Sequence, residues 1–551
     1  MSLDQLTSDA DARFDRTAER WFRERLALSP ELATYHGIHE HDGELSHGTA
    51  EQIEAEAAFH RDSIIEMERL DASDLSADRA LDRDLLIHEA RLALHELTER
   101  RTWDGVSNAA EHVGDALFPI FSRDYAPLTD RLESMIGRLE QAPRYIAETR
   151  TRVTHPVRLW AEIDLEGTEN LPAFLDSILA AAGAEQCAPW VMARLQKAAA
   201  ATRRALEEHA AWLRDEVIPR SDGEWRAGSD GFEQIVALRE LEADGDTILA
   251  VGEQILADEH AARDEICAEI DPTLSPAEVG DLVKNDHPAT FPEALDAYRE
   301  SMDRARAFIV ERELASMPEH DTLRVMETPT YLRHVMPFAA YYEPASFDPE
   351  PTGTYIVTPP VSPEMWREHN YASISNTSVH EAYPGHHLQL AGAVQNPSRV
   401  RLLAHTAAEF AEGWAFYCEG MMKEEGFDAT PRHRYVQHTD AIWRAVRIIL
   451  DVRLHRGQID FPEAVDYLAE QTGFERPAAL AEVKRYTSTP TYQLSYLYGR
   501  HMIQDLERQV KAKMGPGFNR RFFHDTLIFG GMMPVSFARR LFEAKLGPMD
   551  R

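Results

Sequence analysis

The chain has 551 residues, with 58 Lys plus Arg against 94 Asp plus Glu, a formal charge of -36. That balance argues against nucleic acid or an anionic membrane as partner, because phosphate is repelled. The apolar fraction of 44% suits a sizeable core, and at this length two or more subdomains sharing a cleft are expected.

Helix follows helix through the first part. Ser8 to Leu26 is amphipathic. Ser29-Pro30-Glu31 opens a second helix, with a cap residue and Pro at its first position, and Gly37 ends it. His36, His39, His41 and His47 lie among Gly, Asp and Ser and read as loop residues, not as a metal site. Helical patterns cover Glu51 to Leu70 and Ala77 to Leu97; Gly105 to Phe121 is less regular. Leu128 to Thr154 reads as a helix broken near Pro143. Pro189 to Ile218, Asp246 to Ile270 and Phe291 to Leu314 carry apolar residues at helical spacing. Ser275-Pro276-Ala277-Glu278 has the form of a capping box.

The character changes near Asp321. Thr322 to Met326 and Gly353 to Thr358 are strand-like, separated by the turn-rich Phe347 to Gly353. A small antiparallel sheet is expected here, next to the histidine stretch that follows, where edge strands could bind extended peptide. Helices resume at Tyr371: Ser378 to Val394, Arg399 to Glu424, His438 to Arg456, Pro462 to Thr472, Ala478 to Tyr486, Gln493 to Lys511 and Ser536 to Lys545. The fold class is therefore mainly α. A helical region over 1–320 precedes a catalytic region over 321–551, unless the two pack as one unit. Cys187, Cys267 and Cys418 are far apart and in no CxxC spacing. A reducing, cytoplasmic compartment is expected, and no membrane association. The first residues lack the basic start and apolar core of a signal peptide, and no run of about 18 apolar residues occurs. The dispersed acidity fits either a surface suited to high salt or an ordinary acidic protein.

The chemistry concentrates in Ser378-Val379-His380-Glu381-Ala382-Tyr383-Pro384-Gly385-His386-His387. Pro costs about 3 kcal/mol inside a helix and Gly about 1, so their presence between histidines points to a bound metal. A zinc hydrolase needs three protein ligands, an open position for water and a carboxylate base. In His-Glu-x-x-His, four residues return the helix to the same face. Here the spacing is longer. On a straight helix His387 shares the face of His380 but lies roughly 10 Å along the axis. If Pro384-Gly385 forms a bulge, His386 takes the second-ligand position; His387 is the alternative. Glu412, flanked by Phe410, Trp414 and Phe416, is the expected third ligand, because a metal would satisfy a buried carboxylate. Gly413 would let another helix approach. Glu409 and Glu419 share the Glu412 face, and either could orient a ligand imidazole.

These residues resemble the bacterial family named domain of unknown function 885. The resemblance runs through His380-Glu381-x-x-Pro384-Gly385-His386-His387-x-Gln389 and Glu412-Gly413-Trp414-Ala415-x-Tyr417-x-Glu419. It continues in Trp443-Arg444-Ala445-x-Arg447, Glu482-x-x-Arg485-Tyr486 and Phe523-His524-Asp525, and covers most of the chain. It implies a multi-helix architecture like that of deep-cleft oligopeptidases and a zinc-peptidase-like activity on short peptides, with one Zn2+ per chain. The family's second histidine pair is often His followed by a variable residue, which favours His386 as ligand. Thr491-Tyr492-Gln493 departs from the pattern, since a Gly often precedes that Gln. Many members are exported lipoproteins, and no such leader is seen here. In this mechanism Glu381 would move the proton from water to the leaving amine. Tyr496 or Tyr492 would donate to the developing oxyanion, and Arg485 could bind a substrate carboxylate. Two His and a carboxylate also hold non-haem iron in oxygenases, and a purely structural metal is a third reading.

Overall fold

Local chemistry sets the helix starts in this computed structural model, which describes residues 3–328, 333, 338–403 and 407–549. Ser275 accepts from the Glu278 amide while the Glu278 carboxylate returns to the Ser275 amide, the capping box expected from the sequence. Thr290 with Glu293, and Asp460 with Glu463, build the same device. Pro30 opens the helix Pro30–Tyr35, and Gly37 follows it at φ +83°, in the left-handed region that favours glycine.

The chain divides into two compact units. The first runs to Trp225 and includes Arg333 and Ala345–Pro349. It is a stack of helices: Leu3–Leu28, Ala50–Glu68, Ala77–His95, Ala109–Ser122, Leu128–Arg152, Arg158–Ala184 and Pro189–Trp212. Leu85, Leu86, Leu117, Leu132, Ile136 and Ile178 fill its core. Arg138 is buried there and ties down the histidine-rich loops, donating to Glu44 O at 2.9 Å and Thr34 Oγ1 at 2.5 Å. His39 in turn pairs with Asp42 at 2.9 Å and Asp348 at 3.4 Å, and His36 contacts Ser346 Oγ at 3.2 Å.

Two helices here differ from the sequence reading. Leu128–Arg152 continues straight through Pro143. Proline leaves the carbonyl four residues earlier without its helical donor. That carbonyl, on Leu139, instead accepts from the Thr202 hydroxyl of the neighbouring helix at 3.1 Å. Arg158–Ala184, not recognised in the sequence, is a helix with Pro172 inside it.

The second unit begins at Arg226 and holds the rest of the described chain apart from the segments above. The division falls near residue 225. The helices after Arg226 belong with the later ones because Gly245–Ile270 packs along Pro431–His455. Gly252 allows that approach: a Cβ there would lie 2.7 Å from Ile448 Cγ2.

Three strands form the sheet: β1 (Thr322–Glu327), β2 (Ala339–Tyr342) and β3 (Thr352–Val357), in the order β1-β3-β2. It is mixed, not antiparallel as expected. β2 intervenes in sequence and takes the antiparallel edge of β3, with Tyr341 opposite Tyr355. β1 is left the other edge and runs parallel, with Leu323 opposite Gly353.

Buried histidines make this unit acid-sensitive. His524 is fully buried, with Nδ1 2.7 Å from Leu314 O and Nε2 3.0 Å from Tyr417 Oη. Burial lowers its pKa from 6.5 to about 4. Burial likewise lowers His369 from 6.5 to about 4. Between those values the unfolded chain binds protons that the folded chain refuses. Stability is therefore fully present above pH 6.5 and is lost as pH falls towards 4, by about 3 kcal/mol per histidine. Thermal unfolding followed across that window should show the midpoint dropping; a flat profile would contradict it.

Candidate metal centre

The histidine stretch does not form a bulged helix. The helix Tyr371–Glu381 ends, the chain turns through a cis Tyr383–Pro384 bond, and a new helix, His386–Ala393, begins. Gly385 N donates back to Val379 O at 3.0 Å, and Tyr383 N to Ser378 O at 3.2 Å. The Trp414 indole donates to Pro384 O at 2.8 Å and pins the turn to the helix Ala408–Glu424. Gly385 is required by contact. A Cβ there would collide with the carbonyls of Val379 and His380. Gly385→Ala is expected to cost about 3 kcal/mol, because backbone cannot yield as a side chain can. An unchanged urea midpoint would refute that.

The break brings His386 back to His380. Their rings lie 4.8 Å apart, edge to face. Glu412 Oε2 is 3.8 Å from His380 Nε2 and 3.6 Å from His386 Nε2. Among the described residues, His380, His386 and Glu412 are the group of three whose ligand atoms all lie within 4.8 Å of one another. Donors about 2.0–2.1 Å from one zinc stand roughly 3.3 Å apart in a tetrahedron. The two carboxylate separations would contract by only a few tenths of an ångström. The donor set, two imidazoles and one carboxylate, is one used both by catalytic zinc and by non-haem iron.

The surroundings orient these donors. Glu419 Oε1 lies 2.7 Å from His380 Nδ1, which directs Nε2 towards Glu412. Asn376, one turn before His380, donates to Glu419 at 2.9 Å and to Asp440 at 3.0 Å. Burial opposes charge on His380, but the Glu419 hydrogen bond and the charges of Glu419, Glu381 and Glu412 raise its pKa to about 9. Burial would raise Glu412; His386, His380 and Arg444 hold it below its ordinary value. The nest is anionic, as a cation requires. The Glu412 helix meets Leu497–Met514 through Gly413 and Gly499, where a Cβ on Gly413 would lie 2.7 Å from Arg500 N.

Glu381 is half-buried beside His380, and its charge raises the phenols of Tyr298 and Tyr355 after burial has done so. Tyr496 and Tyr492 are also near. Tyr496 packs edge-on to Phe416 at 6.0 Å and to Tyr492 at 6.1 Å, and Phe416 lies 5.1 Å from the His380 ring. Burial, then Tyr496 and Glu412, push the Tyr492 phenol upward.

Three sequence candidates go elsewhere. His387 is fully buried with Nδ1 3.0 Å from Tyr341 Oη and Nε2 3.3 Å from Asp321. Gly353 in β3 leaves room for its ring. The same Asp321 accepts from Tyr383 and from Arg306, each at 2.7 Å, so His387 anchors the turn to the sheet and supports no ligand imidazole. Glu409 pairs with Arg239 at 2.8 Å, and Arg239 also reaches Ser495 Oγ at 3.0 Å and the Thr491 carbonyl. Thr491, at φ +69°, takes the left-handed conformation that a Gly would adopt without strain. Arg485 lies outside the centre: its side chain is 56% exposed and pairs with Glu482 at 3.0 Å.

The sequence reading gave no role to Asn376, Asp440 or Arg444. Asn376 precedes His380 by four residues, and that spacing was the available signal.

Solved structures share this fold, among them these two. One, described as "a putative lipoprotein of unknown function from Shewanella oneidensis", has a TM-score of 0.80 at 22% identity, covering 96% of this chain and 99% of that one. The other, "the putative lipoprotein from Colwellia psychrerythraea", has a TM-score of 0.81 at 17% identity, covering 98% and 99%. No curated protein matches. No helix among the described residues is long and apolar enough to cross a membrane. Over residues 30–541 the chain matches the family described as bacterial protein of unknown function (DUF885), and it belongs to that family.

Proposed function

We propose that this protein is a zinc-dependent hydrolase that cleaves amide bonds of short peptides. The observation that carries the reading is the convergence of His380 Nε2, His386 Nε2 and Glu412 Oε2 beside the half-buried Glu381. A bound zinc would supply a water of near-neutral pKa and a Lewis acid for the scissile carbonyl. Glu381 takes the proton of the attacking water and passes it to the leaving amine. Glu419 holds His380 Nδ1, so that Nε2 is the nitrogen presented to a metal. Tyr496 or Tyr492 donates to the oxygen on which charge develops. The formal charge of -36 disfavours polyphosphate substrates.

The test is metal content by mass spectrometry on protein purified without chelator or nickel resin, followed by a peptide-library digest. About one zinc per chain is expected from the three-residue group, with cleavage lost on chelation and regained with zinc. Iron in place of zinc would favour oxygen chemistry, and no metal even after zinc is added would end the hydrolase reading.

A further inference from the structure

Two arginines project from consecutive turns of the helix Pro431–His455, and they are held very differently. Arg447 is saturated. It donates to Tyr486 Oη at 3.0 Å and Glu482 at 2.9 Å, and it stacks over Trp443 at 4.2 Å and Tyr496 at 4.8 Å. Arg444 is not. It is stacked over Trp443 at 3.8 Å and Phe416 at 5.2 Å. Its ion-pair contact, Asp440 Oδ1, is 3.8 Å away, beyond hydrogen-bond length. Its Nε is buried without a hydrogen-bond partner. Asp440 itself is bonded to Asn376. A guanidinium with five donors, held over two aromatic rings and lacking a close acceptor, is a preorganised fork for a planar anion. At 17% exposure the side chain remains reachable.

Its place says where that anion would sit. Phe416 carries Arg444 on its face and meets the His380 ring edge-on at 5.1 Å. Extended peptide advances about 3.5 Å per residue. A carboxylate on Arg444 would therefore stand within about three residues of an amide at His380 and His386.

We infer that Arg444 binds a substrate carboxylate close to the scissile amide, supplied by a peptide C-terminus or by an acidic side chain. This rests on the hydrolase reading and narrows it: the carboxylate-binding role expected of Arg485 belongs to Arg444, and free C-termini or acidic residues mark the preferred peptides.

Binding is measured by calorimetry in excess zinc on the Glu381→Gln variant, so that turnover does not consume the probes. These are acetyl-Ala-Phe, its C-terminal amide, and acetyl-Ala-Glu amide with a blocked terminus. At least one carboxylate-bearing probe should bind ten-fold or more tighter than acetyl-Ala-Phe amide. Tightness of the free acid alone assigns the C-terminus; tightness of the Glu amide assigns the side chain. Adding Arg444→Met should bring the gap within two-fold, and Arg444→Lys should restore part of it. Equal binding of all three probes, no binding of any, or a gap that survives Arg444→Met would overturn the inference. The hydrolase reading is judged apart, by turnover of wild type on amidated peptides as well as free acids. Cleavage without carboxylate preference would keep that reading and sink this one. Preference without cleavage of any peptide would do the reverse.

Discussion

Glu381→Gln is expected to lower peptide turnover by about 10^2–10^4-fold while zinc content and unfolding temperature stay at their wild-type values. The carboxylate occupies the last residue of Tyr371–Glu381, directly after His380, and is half-buried. Gln has the same shape and cannot accept the proton. The groups that aim the ligands remain: Glu419 on His380, and Trp414 on the Pro384 carbonyl. A structural role for Glu381 would instead lower the unfolding temperature, because its neighbours Tyr298 and Tyr355 are buried. Turnover within ten-fold of wild type would mean that another group moves the proton. Metal content measured on the same preparation separates loss of the base from loss of the ion.

The sequence carried the parts of this centre that are local and missed those made across space. His380-Glu381 is visible because its two residues are adjacent in the sequence, and Pro384-Gly385 announced that regular helix could not continue. What Pro-Gly would build was not legible; a bulge and a clean break into two helices look alike in one dimension. Glu409 and Glu419 were equivalent on spacing. The choice between them is made by partners on other elements. His380 and Asn376 meet Glu419, whereas Arg239 pairs with Glu409 across 170 positions. The sheet followed the same rule. Two strands were readable from β-branched and aromatic residues, but their direction depended on Ala339–Tyr342, which is too short to announce itself. Pro143 looked like a break because the Thr202 hydroxyl that satisfies the Leu139 carbonyl comes from another helix. Arg444 and Arg447 are three residues apart and chemically identical; only packing leaves one of them without a close acceptor.

His386→Ala should empty the metal centre, and His387→Ala should leave about one zinc per chain while weakening the fold. The two residues are adjacent, yet the new helix that starts at His386 sends them to different neighbours. His386 Nε2 faces Glu412 at 3.6 Å, so its loss leaves two donors, too few to hold zinc against solvent. His387 sits between Tyr341 and Asp321 against Gly353 and has no exposed surface. Its truncation opens a cavity and removes the ring that meets the Tyr341 hydroxyl, a loss of about 2–4 kcal/mol. Asp321 still holds Tyr383 and Arg306, so the turn that delivers His386 keeps two of its anchors and the metal should stay. Mass spectrometry for zinc and urea unfolding, run on both variants, read the two effects independently. Zinc retained in His386→Ala together with zinc lost in His387→Ala would move the second ligand to His387, and the pocket around Asp321 would then have to be the metal's.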